Sequence, residues 1–427
     1  MAITSSEERK ERVLLAGVHT GCRDVLSDTT EESILELEEL VKTAGGEVVC
    51  QVIQNKSDLE AATYMGEGKL GEIKEAVLSM DIDMVVFDDE LSPIQLRNIS
   101  DFLEVKVIDR TILILDIFAM RAKSGEGKLQ VELAQLKYRL PRLRGLGVQM
   151  SRTGGGIGTR GPGETKLETD RRHIRRRISK IEEELETVMR VRGEQRRGRI
   201  RREIPLVSLI GYTNAGKSTL LNALTGSDIH AANRLFDTLD TTTRKFPVSD
   251  TASVLLSDTV GFIRKLPHHL TRAFRATLEE LLHADLLLHV VDASNPEAEA
   301  HCTVVDDVIK TLGADNIPRL YVFNKCDLLS DTSLFSREKD TVCVSALTGA
   351  GFDELKSEIC RMLSLSSRRT EFDIPYSKSA LIDILHRDAK VLSTEYLDNV
   401  IRICAITDGR TYSQITKQLG GDSNGQL

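Results

Sequence analysis

Short apolar runs alternate with amphipathic stretches over residues 1–109. The runs RVLLAGV, EVVCQVI and DMVVFDD predict β-strands, and ESILELEELVKTAG and GKLGEIKEAVL predict helices between them. Strands that alternate with helices are typical of a parallel sheet covered by helices. We therefore expect a small N-terminal α/β domain at 1–109. It contains no glycine-rich phosphate loop, which favours a scaffold or docking role.

Residues 110–203 show a different spacing of apolar residues. Leucines recur with spacings of four and three from Leu129 to Leu143, and apolar residues recur in the same way from Ile174 to Val188. Each seam spans about two heptads, which is too short for an isolated coiled coil. The two seams can cover each other in an antiparallel helical hairpin, in which Pro141 ends or kinks the first helix.

The loop that joins these two helices is rich in glycine and arginine. SRTGGGIGTRGPGET, residues 151–165, contains six glycines. Between Arg139 and Lys180 there are twelve Lys or Arg against three Asp or Glu, although the whole chain has a net charge of −8. Glycines allow close approach to an RNA backbone and arginines neutralise its phosphates, so the hairpin tip is a candidate RNA-binding element. A solvated charged hairpin is the alternative.

A phosphate-binding motif opens residues 204–365. IPLVSLIGYTNAGKSTLLNALTG places G-x-x-x-x-G-K-S between a predicted strand and a predicted helix, which is the context that a P-loop requires. The Lys217 ammonium would reach the β- and γ-phosphates, and the Ser218 hydroxyl would bind Mg²⁺. We take Lys217 as the catalytic residue. Alone, the motif also fits an ATPase. The predicted nucleotide contacts are Gly211, Tyr212, Thr213, Asn214, Ala215, Gly216, Lys217 and Ser218.

A second motif, N-K-C-D, follows a later apolar strand and predicts the base. The Asp327 carboxylate can accept hydrogen bonds from both N1–H and the exocyclic amine of guanine, and adenine has no such pair of donors. The segment Ser345–Leu347 fits a loop whose backbone N–H meets guanine O6. Strand ends are where open α/β sheets bind ligands. The predicted base contacts are Asn324, Lys325, Cys326, Asp327, Ser345, Ala346 and Leu347.

Two segments between these motifs are candidate switch loops. In VLLSDTVGF, Asp258 would hold the Mg²⁺ shell through water and the Gly261 N–H would meet the γ-phosphate, with Thr259 and Val260 between them. Many small GTPases place a water-orienting glutamine where Phe262 stands, so we expect slow intrinsic hydrolysis that needs an outside group. RLFDTLDTTTR must supply a threonine to the metal, and its candidates are Thr238, Thr241, Thr242 and Thr243.

These patterns together predict a GTP-binding and GTP-hydrolysing protein.

At 366–427, EFDIPY, KVLSTEYL and VIRICAIT predict strands and SALIDILHRDA predicts a helix, which indicates a small α+β domain. The expected fold class is α/β. A P-loop GTPase domain at 204–365 is preceded by the small α/β domain and the helical hairpin and followed by the α+β domain.

Composition narrows the class of protein further. With 41% hydrophobic and 29% charged residues, the chain is typical of soluble globular proteins. It has no apolar run of about 18 residues that could cross a membrane, and its N-terminus, MAITSSEERKER, lacks the apolar core of a secretory signal. Seven dispersed cysteines without a C-x-x-C pair indicate reduced thiols. We therefore expect a cytoplasmic protein.

The motifs resemble those of HflX-type GTPases, in the translation-factor-related class. The resemblance covers essentially the whole chain and rests on GYTNAGKSTL, FDTLDTTTR, SDTVGFIRKLPHHL, NKCD and, above all, SRTGGGIGTRGPGETKLETDRR, which general GTPases lack. The family usually has proline where Thr241 stands. The resemblance implies Mg²⁺ ligands at Ser218 and Thr238, with Thr242 as the next candidate. It also implies nucleotide contacts at Phe236, Asp237, Thr238, Leu239 and Asp240.

The resemblance also implies a partner. Members of this family bind the large ribosomal subunit and split or recycle stalled ribosomes, notably after heat stress, and their glycine-rich loop reaches toward the peptidyl transferase centre. We therefore expect binding to the large subunit and its rRNA, no DNA partner, and a monomer off the ribosome. A large-subunit assembly GTPase and a signalling GTPase with a protein effector are the alternatives. Asn214 is a candidate ligand for a monovalent cation such as K⁺, or an ordinary polar loop residue.

Overall fold

The structure is a computed structural model that falls into two units. The first unit is Met1–Arg196 with Ala232–Asp240 and Val260–Thr277, and the second is Arg197–Ala231 with Thr241–Thr259 and Leu278–Leu427. The residues that it describes are 9–20, 30–143, 162–200, 204–226, 235–236, 242–249, 252–259, 261–265, 281–329, 340–363, 368–407 and 409–420.

The first unit contains a four-stranded parallel sheet in the order β2-β1-β3-β4. The three predicted apolar runs form β1, β2 and β3, whereas β4 was not predicted. Six consecutive residues of β1 are buried, as expected for a strand covered on both faces. Alternate strand residues such as Leu14 and Phe87 pack against α2 and α3, and α1 packs against α4. The elements are β1 Arg12–His19, α1 Thr30–Ala44, β2 Glu47–Asn55, α2 Glu67–Ser79, β3 Met84–Phe87, α3 Pro93–Leu103, β4 Lys106–Asp109 and α4 Arg110–Arg121.

Two further helices, α5 Gly125–Arg142 and α6 Pro162–Ile200, pack through the predicted seams. Leu133, Ile181 and Leu185 form a buried cluster, and Leu129, Leu136 and Ile178 pack beside it. Ion pairs flank the cluster, with 2.6 Å between Arg177 and Glu132 and 2.8 Å between Lys137 and Glu182. Helix α5 ends one residue after Pro141. The glycine-rich loop lies almost entirely outside the described residues.

The second unit contains a six-stranded sheet in the order β10-β9-β8-β5-β7-β6. All neighbouring strands run parallel except β6, which is antiparallel to β7. Apolar residues from β5, β8 and β9 meet those of α7 and α9 in one core. The elements are β5 Leu206–Gly211, α7 Lys217–Thr225, β6 Thr243–Pro247, β7 Ser253–Ser257, β8 Leu286–Asp292, α8 Ala298–Leu312, β9 Arg319–Asn324, β10 Thr341–Cys343 and α9 Phe352–Met362.

The end of the chain forms a three-stranded antiparallel sheet in the order β11-β13-β12, with its own apolar core. Its elements are β11 Arg368–Pro375, α10 Ala380–Asp388, β12 Lys390–Tyr396, β13 Val400–Thr407 and α11 Gly409–Gly420.

The expected fold class is confirmed, and the exact domain boundaries stay predictions. Within the described part of the chain, every helix is too short or too polar to cross a membrane.

Candidate functional site

The P-loop lies between β5 and α7, and two of its glycines are required by close packing. Gly211 has a φ of 149°, and a Cβ there would lie 2.2 Å from the carbonyl oxygen of Val290. Gly216 has a φ of 89°, and a Cβ there would lie 2.3 Å from Nδ2 of Asn324. Any larger residue would push the loop away from β8 or from Asn324. The motif therefore fixes the loop against the neighbouring strand ends.

Lys217 is buried at the first turn of α7, with 6% of its surface exposed. Its Nζ donates hydrogen bonds to the carbonyl oxygens of Gly211, at 3.1 Å, and Tyr212, at 2.7 Å. Burial lowers the pKa of Lys217 to about 8, against the opposing influence of Asp258. A desolvated ammonium beside a helix N-terminus attracts polyanions such as phosphates strongly.

Ser218 and Asp258 bring two oxygens together beside this lysine. The Ser218 hydroxyl lies 2.6 Å from Oδ2 of Asp258, and the Thr259 hydroxyl donates to the carbonyl oxygen of Leu209 at 2.6 Å. Hydroxyl and carboxylate oxygens are the ligands that Mg²⁺ prefers, so this pair fits a magnesium site. The hydroxyl of Thr242 is buried without a hydrogen-bond partner among the described residues, and the Thr242 carbonyl accepts from the Asp258 N–H at 3.0 Å.

Asn324, at the end of β9, connects the P-loop with the loop after β10. Its Nδ2 donates to the carbonyl oxygen of Ala215 at 2.9 Å, and its Oδ1 accepts from the Ala346 N–H at 3.0 Å. Ser345 is buried, and its hydroxyl accepts from the Thr348 N–H at 3.2 Å. These contacts bring three separate sequence motifs to one edge of the sheet.

Beside Asn324, Lys325 has a positive φ of 64° and forms an ion pair with Asp292 at 2.5 Å. Asp292 ends β8 and lies opposite Asn324 in the strand register. Its other oxygen accepts hydrogen bonds from the N–H and hydroxyl of Ser294. Sequence reasoning missed Asp292. Its position at the end of the apolar run LLLHVVD was the available signal, since strand ends carry ligand-binding groups in such sheets.

Asp327 and Leu347 are exposed at the rim of this edge, whereas Tyr212, Thr213 and Ala346 are buried. Asn214 is exposed with a positive φ of 61°. Cys326 is half-buried. The second unit therefore brings together the predicted P-loop residues, Asp258, Thr259 and both base-contacting segments. Asp237, Thr238, Leu239, Asp240 and Val260 lie outside the described residues.

Two other predicted contacts, Phe236 and Gly261, belong to the first unit. The Phe236 ring packs edge-on against Phe118 of α4, with centroids 4.6 Å apart. Gly261 is buried, and Phe262 after it is 2% exposed. Their predicted contacts with nucleotide stay predictions.

Lys265, three residues after Phe262, joins a partly buried charge cluster in the first unit. Lys265 lies 2.5 Å from Asp88 and 2.8 Å from Asp89. Asp88 also pairs with the fully buried Arg110 at 2.8 Å. Burial alone would raise the pKa of Asp88, but Arg110 and Lys265 hold it below its usual value. Sequence reasoning missed this cluster. The acidic pair that ends DMVVFDD was its only visible sign.

One edge of this sheet carries a P-loop, the paired oxygens of Ser218 and Asp258, and the N-K-C-D motif. This combination defines the class of P-loop GTPases. Three family models match the chain: "GTP-binding GTPase N-terminal" over 31–119, "GTP-binding GTPase Middle Region" over 121–199, and "50S ribosome-binding GTPase" over 206–325.

Three proteins named GTPase HflX are similar to this chain over most of its length. The protein of Caldanaerobacter subterraneus is 49% identical over 93% of this chain and 91% of its own length. Those of Lacrimispora saccharolytica and Escherichia coli are each 46% identical, over 96% and 79% of this chain and 96% and 80% of their own lengths. The chain therefore belongs to the HflX family of GTPases.

One solved structure similar to the chain is a GTP-binding protein of Sulfolobus solfataricus in complex with GDP. It is 25% identical and covers 83% of this chain and 98% of its own, with a TM-score of 0.44.

Proposed function

We propose that the second unit binds GTP with Mg²⁺ at the edge formed by the P-loop, Asp258 and Asn324. Lys217 and the P-loop N–H groups would hold the phosphates, and Asp327 would read guanine. Ser218 would ligate the metal, with Thr238 as its predicted second protein ligand. Bound Mg²⁺ would neutralise charge that develops on the phosphates during hydrolysis. The convergence of Ser218 and Asp258 oxygens supports the metal, and the exposed Asn214 stays the candidate ligand for K⁺.

We propose further that the chain acts in the cytoplasm as a monomer that binds the large ribosomal subunit and its rRNA. The observation that carries this proposal is the match of residues 206–325 to a model of 50S ribosome-binding GTPases. The hairpin adds physical support. Arg172, Arg175 and Arg176 are exposed on α6, where exposed guanidinium groups can meet phosphates.

We propose that ribosome binding stimulates hydrolysis and that the protein splits or rescues stalled ribosomes under stress. Phe262 cannot orient an attacking water, and its burial agrees with a need for an outside group. The glycine-rich loop would be the effector that reaches the RNA. A large-subunit assembly factor, which needs the same RNA contacts on a precursor particle, is the second candidate.

Sedimentation with purified subunits, with GDP or a non-hydrolysable GTP analogue, tests the partner. We expect GTP-dependent association with the large subunit, and absence of association would contradict the proposal. Light scattering of mature 70S ribosomes then separates splitting from assembly. A variant that lacks Gly154 to Gly163 should bind nucleotide normally and fail to split. Normal splitting by that variant would exclude the loop as effector.

A further inference from the structure

The P-loop is held at two points by the strands beside it. Gly211, at its start, pairs with Val290 of β8 in the parallel sheet. Ala215, near its end, accepts a hydrogen bond through its carbonyl oxygen from Nδ2 of Asn324, at 2.9 Å. The conformation of the three residues between these two points depends on further contacts.

A cavity of about 50 Å³ lies beside these residues. Residues 212–215 of the loop, the end of β8 and the start of α8 line it. The hydroxyl of Thr213 and Nδ1 of His289, two of the lining residues, are buried without a hydrogen-bond partner among the described residues. Because a cavity offers few atoms to pack against, this side of the loop is held less firmly than a close-packed core would hold it.

A stacked pair of rings connects the loop to α8 in this region. The ring of Tyr212 lies on the imidazole of His301, with centroids 3.8 Å apart and an angle of 5° between the ring planes. Tyr212 is 6% exposed, so its ring is enclosed by protein. His301 lies near the start of α8, and its N–H donates to the carbonyl oxygen of Glu297 at 2.9 Å. The imidazole therefore stands on a backbone that the helix has fixed.

The backbone of Tyr212 in turn holds the lysine of the P-loop. Its carbonyl oxygen accepts a hydrogen bond from Nζ of Lys217 at 2.7 Å. Side chains occupy a few staggered conformations that depend on the backbone torsions. A ring that is held in a stack therefore restricts the backbone of Tyr212 and the direction of its carbonyl group. Through this carbonyl, His301 limits the positions that the Lys217 ammonium can take.

We propose that His301 is a positioning residue of the nucleotide site, whose imidazole holds the ring of Tyr212 and thereby keeps the P-loop in the conformation that binds phosphates. The inference rests on the proposed phosphate-binding role of the P-loop and Lys217. His301 acts through Tyr212 and not on the nucleotide itself. A loop that is already ordered loses less conformational freedom when its ligand binds. The stack should therefore raise affinity, mainly by slowing nucleotide release.

Replacement of His301 in the full-length protein tests this role. His301→Ala removes the imidazole and leaves a residue that favours a helix. We expect its affinity for a fluorescent GDP analogue to fall about three- to tenfold through faster release, with kcat at saturating GTP not reduced. His301→Phe restores a flat ring and should recover most of the lost affinity. The matched control is Glu299→Ala, which changes an exposed residue at the same end of α8 and should bind GDP as the wild type does.

A second substitution on the other side of the stack separates this role from general packing. If the two rings act through each other, Tyr212→Leu combined with His301→Ala should bind GDP no more weakly than the weaker single variant. Additive losses in the double variant would overturn the proposal. Normal affinity in His301→Ala, or failure of His301→Phe to recover affinity, would overturn it as well.

Nuclear magnetic resonance reports on the stack without any nucleotide. The ring current of Tyr212 should move the ring-proton signals of His301 upfield, and Tyr212→Leu should return them to their usual positions. Unshifted signals in the wild-type protein would contradict the stacked arrangement. If the P-loop is not the phosphate site, Lys217→Ala will keep normal GDP affinity, so failure of the proposed function is distinguished from failure of this inference.

Discussion

Under the proposed function, the single carboxylate of Asp327 would select the base. Its neighbours Asn324 and Lys325 are held by Ala215, Ala346 and Asp292, while Asp327 itself is exposed. In Asp327→Asn an amide replaces the acceptor that matches guanine and can pair with the 2-oxo group of xanthine. We expect GTP affinity to fall about ten- to a hundredfold and xanthosine triphosphate to be preferred. Competition filter binding measures the ratio.

A matched control for this change is Asp353→Asn, an exposed carboxylate in the first turn of α9 in the same unit. It should leave both affinities unchanged. An Asp327→Asn protein that still prefers GTP would exclude Asp327 as the guanine-reading residue.

We expect Lys217 to make phosphate binding dependent on pH. Because burial lowers its pKa to about 8 from 10.5, the unliganded ammonium loses its proton as pH rises through about 8. Bound phosphates favour the charged form and raise that pKa. Affinity for GDP should therefore fall as pH increases from about 8 upward and stay level below it. Calorimetric titration between pH 6.5 and 9.5, in two buffers of different ionisation enthalpy, measures both affinity and proton uptake. Uptake of no proton at pH 8.5 would contradict this assignment.

The sequence predicted which residues belong to this site better than it predicted the ion pairs that those residues form. G-x-x-x-x-G-K-S and N-K-C-D are local patterns, and the strands before them are apolar runs. The ion pair of Lys325 with Asp292 joins residues 33 positions apart, and that of Lys265 with Asp88 joins residues 177 apart. No local periodicity encodes such a pairing. It depends on which strands lie side by side.

At the scale of elements, Asp292 at the end of β8 pairs with Lys325, in the predicted base-contacting segment that follows β9. In Asp292→Asn, the remaining oxygen can still accept from Ser294, but the amide cannot pair with the ammonium of Lys325. The lysine would then be free to leave its present position beside the site. We expect GDP affinity to fall severalfold with kcat at saturating GTP unchanged, because the phosphates are held elsewhere. Stopped-flow nucleotide release and steady-state hydrolysis separate these two quantities.

The control for this variant is Asp306→Asn, which removes a carboxylate from α8 that pairs with Arg319 at 2.5 Å. It should change nucleotide release little. A drop in kcat without a change in release for Asp292→Asn would assign Asp292 to the chemistry instead of to the base.

Helices with a regular spacing of apolar residues could be predicted from the sequence. Some elements without such a spacing were missed. The heptad spacing predicted the packing of α5 on α6, and Pro141 predicted where α5 ends. Helix α3 was overlooked, although Ser92 caps it, Pro93 opens it and Gln95 completes a capping box. The antiparallel edge strand β6 was also missed, because its only buried residue is Phe246.

At the scale of the whole molecule, the proposed partner should be visible in salt dependence. Each arginine that meets an rRNA phosphate releases a counterion and adds about 0.7–0.9 to the slope of log affinity against log salt. Arg175 and Arg176 are exposed on α6, whereas Arg177 is bound to Glu132 through two hydrogen bonds of 2.6 Å. Arg175→Glu with Arg176→Glu should therefore reduce the slope for large-subunit binding by roughly two and lower ribosome-stimulated hydrolysis.

Two comparisons make this assignment specific. Lys310→Glu with Lys356→Glu changes the net charge equally on exposed helices of the GTPase unit, so it should leave the slope unchanged. Arg177→Glu places two carboxylates together beside the buried cluster of Leu133 and Ile181, so its main effect should be a lower melting temperature. Sedimentation at several salt concentrations gives the slopes. If the arginine pair and the lysine pair reduce the slope equally, general charge attracts the protein to RNA, and the hairpin is not the specific contact.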